Sequence, residues 1–166
     1  MTRIIEINRF EDLSAYRQDW DTLLCQTPLA TFFQSFDWLE VYWRHCSAGQ
    51  RLRVLIVETD GRPCGILPFV VRKERTRLGQ VRVLTYPLDE WGTFFGPIGP
   101  QPDQTLAAGL AHIRSTERDW DVVDLRAVDD DRADRGLARQ AFATAELPAL
   151  RASWNQASVI ELTGTW

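Results

Sequence analysis

Lysine is nearly absent from this chain: Lys73 stands alone beside eighteen arginines. A bias spread over the whole sequence in this way reflects the composition of a genome rather than a surface built for phosphate. Histidine is as scarce, with only His45 and His112, so a zinc site or a Cys-His nucleophile pair lacks its raw material. The three cysteines, Cys25, Cys46 and Cys64, are odd in number and form no C-x-x-C pair, which reads as reduced thiols in apolar settings. No apolar run approaches the roughly 20 residues of a spanning helix. The opening MTRIIEINRFEDL places acids where a signal peptide has its apolar stretch. The expectation is a cytoplasmic protein with no membrane partner. A net charge of −4 also argues against nucleic acid, because counterion release needs an excess of cations on one face. Neither G-x-G-x-x-G nor G-x-x-x-x-G-K-[ST] occurs, so the dinucleotide and P-loop phosphate cradles are excluded.

What is present suits one globular domain. The 166 residues are 45% hydrophobic and 25% charged, and a chain of this length removes roughly 70% of its unfolded surface from water. Charge is unevenly spread. Residues 72–82 hold five cations against Glu74, and residues 117–134 hold eight acids against three arginines. The first cluster reads as a solvated hairpin, with a phosphate-bearing ligand as the alternative. The Asp129-Asp130-Asp131 run reads as a solvated loop before a helix, suited to the helix N-terminus, and no metal is expected.

Hydrophobic periodicity places a strand at 3–8 on Ile4, Ile5 and Ile7. Asn8 and Glu11 match a capping box for a helix carrying Leu13, Tyr16, Trp20, Leu23 and Leu24, closed by Pro28. Ser35 caps a second helix whose Phe36, Leu39, Tyr42, Trp43 and Cys46 share one side until Gly49. Trp38 and Tyr42 either pack in the core or line a cleft. Three strands follow: LRVLIVE, apolar on both faces; GILPFVVR after the Asp60-Gly61 turn; and QVRVLTY. Pro68 cannot donate to a ladder and demands a bulge or an edge. Residues 87–102 are an irregular Gly/Pro loop with a short strand around 93–95, and the loop aromatics Trp91, Phe94 and Phe95 have little core to enter. A helix from Pro102 to about Arg118 is followed by a strand over 121–128. On that strand Val122, Asp124 and Arg126 share a face, and its charges either pair with each other or open to a cleft. A helix over 133–145 and a long or broken strand over 150–162 complete the chain. This order predicts a mixed α/β fold without the regular βαβ alternation of a dinucleotide domain.

The segments TFFQSFDWLEVYWRH at 31–45, LRVLIVETDGRPCGILPFVVRK at 52–73, DEWGTFF at 89–95, DVVDLRAV at 121–128 and QASVIEL at 156–162 carry a resemblance. In that order and spacing, over nearly the whole chain, the sequence resembles the N-terminal half of the CelD-like acyltransferases of the GNAT type. These are similar to the Fem peptidyltransferases in carrying two GNAT-like domains in tandem. The resemblance implies a GNAT-like fold, with a central mixed sheet flanked by helices. It also implies transfer of an acyl group from a CoA thioester or aminoacyl carrier to an amine.

In tandem members the donor site belongs mainly to the second domain. This sequence stops at Gly164-Thr165-Trp166, about where that domain's first helix would begin. The GNAT pyrophosphate loop, [QR]-x-x-G-x-[GA], finds no match, and Gly79 in RTRLGQV is out of spacing between two strands. The expectation is therefore a single domain, 1–166, forming the acceptor-side, donor-site-lacking half of an N-acyltransferase. Asp89, Trp91, Phe94 and Arg126 are its candidate substrate-binding residues, and no residue is assigned as catalytic. The expected cofactor is acetyl-CoA or another acyl-CoA, used by the longer parent and not bound by this chain alone. The expected partners are an absent second GNAT-like domain and a small-molecule amine acceptor. The alternative is a catalytically silent module that binds a partner protein, or pairs with itself as a homodimer, through its aromatic helix.

Overall fold

The computed structural model describes residues 2–77, 79–88 and 92–153. Five strands form one sheet in the order β1-β2-β3-β4-β5. These are β1 (Thr2–Ile7), β2 (Arg51–Thr59), β3 (Arg62–Thr76), β4 (Gly79–Thr85) and β5 (Val122–Val123). The first four pair antiparallel and β5 joins β4 in parallel, so the sheet is mixed. The helices α1 (Arg17–Gln26) and α2 (Phe36–Cys46) fall between β1 and β2. Helix α3 (Pro102–Ser115) lies between β4 and β5, and α4 (Leu137–Thr144) follows β5. This is the mixed α/β sheet flanked by helices that the sequence and the GNAT resemblance lead one to expect.

The alternation of side chains along the strands divides the core in two. Leu52, Val54, Ile56, Ile66 and Val70 pack with Trp20, Leu23, Phe36 and Leu39 of α1 and α2. Leu55, Leu67, Phe69 and Leu84 pack with Leu106, Leu110 and Ile113 of α3 and Ala141 of α4. Gly65 lets α3 approach closely, because a Cβ there would fall 2.2 Å from Thr105 Oγ1 and 2.9 Å from its Cβ. The aromatic side of α2 is core: Phe36, Leu39 and Tyr42 are buried, and the Tyr42 hydroxyl donates to Gln50 Oε1 at 2.8 Å.

Several expectations hold in detail. Ser35 Oγ accepts from Trp38 N at 3.1 Å, as an N-cap should. Asp60 and Gly61 both take positive φ, 52° and 75°, which the tight turn between β2 and β3 requires. Pro68 sits in β3 opposite Val54, with β4 pairing beginning only at Val70 and Ile66 bridging to Ile98 instead. Its nitrogen faces the gap between those two partners, which is the local edge that proline needs.

Others are corrected. The Asn8–Glu11 capping box does not form. The first helical turns, Phe10–Tyr16, are 3-10 and begin after Arg9 without a side-chain cap. With its amide oriented to satisfy both ends, Asn8 donates instead to Glu6 Oε1 and Leu52 O. The strand expected over 121–128 is cut to Val122–Val123. Asp124 N still reaches Leu84 O, but Arg126 N turns back to Asp124 O and Ala127 adopts φ 57°. The short strand around 93–95 is absent, and that loop touches the sheet through the Ile66–Ile98 bridge. The helix over 133–145 starts later, at Leu137, after a π-helical turn at Asp130–Asp134. Of the strand expected over 150–162, residues 150–153 have no regular structure and the rest lie outside the described residues.

LRVLIVE is not apolar throughout its burial. Arg53 is 2% exposed and faces the α3 side of the sheet. Its guanidinium donates to both carboxylate oxygens of Glu6 (2.8 Å each), to Asp119 Oδ1 (2.9 Å) and to Thr116 Oγ1 (2.9 Å). Glu6 Oε2 also meets His112 Nε2 at 2.9 Å. Burial raises the Glu6 carboxyl, but the bonds from Arg53 and His112 outweigh it and hold the group below its usual value. The cluster ties β1, β2 and the end of α3 together.

Candidate functional site at the carboxyl ends of the parallel strands

β4 and β5 run in parallel, and a crevice outside the carboxyl ends of parallel strands is where open α/β sheets bind ligands. Here the two strands are followed by residues 86–88 and 92–101 and by residues 124–136. A cleft of about 250 Å³ lies between these segments, closed on a third side by the connection from α1 to α2.

The wall polar groups are occupied in building it. Gln34 Oε1 accepts from Thr31 N (2.9 Å), while its Nε2 donates to Gly96 O (3.2 Å) and Pro97 O (3.3 Å). Thr31 Oγ1 donates to Phe94 O (3.2 Å). Thr27 Oγ1 donates to Leu23 O and accepts from Gly99 N, both at 2.8 Å. Phe95 N donates to Ala127 O at 2.9 Å, which locks the two loops together. The interior is left apolar, with Phe94, Pro97, Leu106, Val128 and Leu137 contributing.

Backbone strain gathers here. Leu29 (φ 54°) and Phe94 (φ 55°) line the cleft, and Ala127 (φ 57°) and Arg135 (φ 47°) adjoin it. Each such conformation costs on the order of 1–3 kcal/mol and tends to cluster at functional sites. The π-helical turn on the same rim is a second feature associated with such sites.

Three ionisable side chains line the cleft, all from the segment after β5: Asp129, Arg132 and Asp134. Asp129 Oδ1 accepts from Arg132 N at 3.1 Å, leaving its second oxygen without a bond among the described residues. Asp134 uses both oxygens, on Ala138 N (2.8 Å) and Gly136 N (3.1 Å). The Arg132 guanidinium forms no ion pair among the described residues. Asp130 pairs with Arg151. The Asp run thus serves as capping and pairing groups around a turn.

Behind the Phe95 wall stands Tyr86, fully buried and stacked on Phe95 with ring centroids 4.7 Å apart. Its hydroxyl has no hydrogen-bond partner among the described residues. Burial, reinforced by the nearby charge of Asp134, pushes its ionisation far up.

Of the four residues singled out from the sequence, Phe94 lines the cleft. Asp89 and Trp91 lie outside the described residues. Arg126 is not on the cleft lining. Its Nε donates to Asp124 at 2.6 Å and its Nη2 to Glu74 at 2.7 Å, so its charge is taken up by pairing. Burial raises the Glu74 carboxyl, yet the bonds from Arg126 and Arg72 hold it below its usual value. Trp38 donates its indole N–H to Pro87 O at 3.0 Å and Tyr42 is core, so neither lines the cleft.

Sequence reasoning missed Arg132, Asp129 and the 27–34 wall. A signal for the wall existed: Thr31-x-x-Gln34 fits the capping-box pattern and the box forms in full. In the hairpin at 72–82, Arg72 donates to Glu74 and Leu88 O, and Arg82 clasps Asp121, whose carboxyl the bonds from Arg82 hold down at about 2. Lys73, Arg75 and Arg77 are exposed. No described helix is long and apolar enough to cross a membrane.

No protein-family model matches the chain, and no curated protein matches it. Among solved structures, one described as a probable acetyltransferase is 14% identical, over 96% of this chain and 98% of that chain, with a TM-score of 0.42. A likeness at that level supports no argument about activity.

Proposed function

We propose that this chain is the acceptor-side half of a GNAT-type N-acyltransferase, resembling the CelD-like enzymes, and that the cleft between the β4 and β5 exits receives the amine. The cleft itself carries the reading. It is apolar, strained and placed where parallel strands end, and the order of segments from TFFQSFDWLEVYWRH to DVVDLRAV fits that family.

The residues present do not fit the pyrophosphate of an acyl-CoA. Among the described residues two helix N-termini border the cleft: at α3 Pro102 removes one amide donor and Asp103 adds negative charge to the first turn, and at α4 the carboxylate of Asp134 already occupies Gly136 N and Ala138 N. No step is therefore routed through the donor. On this reading the chain holds and orients the acceptor, the apolar walls exclude water from it, and the donor comes from a second GNAT-like domain. Asp89 and Trp91, on the same loop as Phe94, remain candidate acceptor contacts.

The test is acyl transfer from a CoA thioester to a panel of primary amines, using the longest natural chain that contains these residues. Replacing Asp89, Trp91 and Phe94 together by alanine should cut kcat/KM at least a hundredfold. Unchanged turnover would reject the assignment. The alternative of a silent interaction module finds one specific observation in its favour. Phe32 is 65% exposed and packs edge-on against Trp38. Sedimentation that shows only monomer at high concentration counts against pairing of the chain with itself.

A further inference from the structure

We infer that the cleft at the ends of β4 and β5 binds a free apolar α-amino acid, a zwitterion whose side chain fills the apolar trough and whose two charges meet Arg132 and Asp129. This deepens the reading above by naming the class of amine, and it rests on that reading only for the claim that the bound amine is then acylated.

The argument starts from which polar groups are free. Thr27, Thr31 and Gln34 spend their hydrogen bonds on the wall. Asp134 spends both oxygens on Gly136 N and Ala138 N. Two capacities remain at one end of the cleft: the unpaired Arg132 guanidinium and the second oxygen of Asp129. They lie three residues apart on one turn, held together by the bond from Arg132 N to Asp129 Oδ1 at 3.1 Å. A guanidinium and a carboxylate oxygen lining one cleft without pairing with each other complement a carboxylate and an ammonium on one carbon. A plain alkylamine would leave Arg132 unanswered, and a plain fatty acid would answer Arg132 but leave Asp129 without a cation and repel it.

The rest of the cleft fixes the body of the ligand. Phe94, Pro97, Leu106, Val128 and Leu137 offer no polar partner, so a polar side chain would lose its water without compensation. The volume of about 250 Å³ has room for the side chain of a branched-chain or aromatic amino acid.

Calorimetric or NMR titration of the 166-residue chain with leucine, isopentylamine and 4-methylpentanoate tests this directly, because the last two each remove one charge and keep the apolar body. Leucine should bind at least tenfold more tightly than either analogue. Asp129→Asn, which keeps an oxygen for Arg132 N, should weaken leucine and leave 4-methylpentanoate unchanged or tighter. Arg132→Gln should weaken leucine and leave isopentylamine unchanged. Equal binding of leucine and either analogue overturns the inference, and so does no binding of leucine to a chain whose circular dichroism shows it folded. Leucine that binds as described but is never acylated by the longer enzyme would uphold the inference and defeat the proposed function, so the two failures are distinguishable.

Discussion

Tyr86 is a full-size aromatic at the centre of the Phe69–Tyr86–Phe95 stack, and its hydroxyl has nothing to bond to among the described residues. Such a group contributes desolvation cost without return, so Tyr86→Phe should leave the melting temperature unchanged or raise it. A fall of about 1–3 kcal/mol in chemical denaturation would show that the hydroxyl has a partner in solution. Gly99 is constrained differently. Its φ is 129°, and a Cβ would sit 2.7 Å from Cys64 O, a backbone atom that cannot turn aside. Gly99→Ala should therefore destabilise the protein by at least about 1 kcal/mol, measured by urea unfolding, and disturb the Thr27–Gly99 bond at the back of the cleft. Residues of this kind are poorly legible in a sequence. Phe94 stood out because aromatics in a Gly/Pro loop have little core to enter. Arg132 did not, because a lone arginine beside three aspartates reads as surface until the turn that frees its guanidinium is seen.

Among the elements, β2 carries the clearest energetic test. Arg53 is buried and answers Glu6, Asp119 and Thr116 at once. Arg53→Met should cost about 3 kcal/mol, the low end for breaking a buried pair, because Glu6 is left with His112 alone and Asp119 with Arg51 alone. Adding Glu6→Gln to that variant should recover part of the loss, and strict additivity in urea unfolding would contradict a coupled cluster. The sign of the pH effect follows from the depressed Glu6 carboxyl. Its contribution is complete above the carboxylate's unfolded value, ~4.3, and is lost as pH falls through the lower folded value. Stability should thus drop on acidification below about pH 4.5, and Glu6→Gln should flatten that limb. A Glu6→Gln profile superimposable on the native one would refute the assignment.

The same element shows where sequence reading succeeds and stops. The run of apolar residues in LRVLIVE locates β2 correctly as a strand covered on both faces, and Ser35 and Asp60-Gly61 mark a helix start and a turn through local chemistry alone. The arginine within that run depends on partners 47 and 66 residues away in sequence, which no local pattern encodes. The truncation of β5 is likewise non-local, because the alternating pattern of 121–128 is interrupted by the loop-to-loop bond between Phe95 and Ala127.

At the scale of the whole molecule, the order of helices and strands was legible because most elements have their own period and stop signal, whereas the mixed sheet was expected only from the family resemblance. The cleft was not legible, because it is assembled from three connections that are distant in sequence and carry few periodic residues. Charge at this scale resolves only partly into pairs: Arg72 and Arg82 of the basic hairpin are answered by Glu74 and Asp121, while Lys73, Arg75 and Arg77 are exposed. The central claim is that this chain holds an acceptor site and lacks a donor site. Calorimetric titration of acetyl-CoA into the 166-residue chain tests it most directly. The account predicts no binding up to millimolar ligand, since α3 offers Pro102 and Asp103 where a pyrophosphate would need free amides and no negative charge. Saturable micromolar binding would contradict it, and would make this chain a complete GNAT domain with its own donor site.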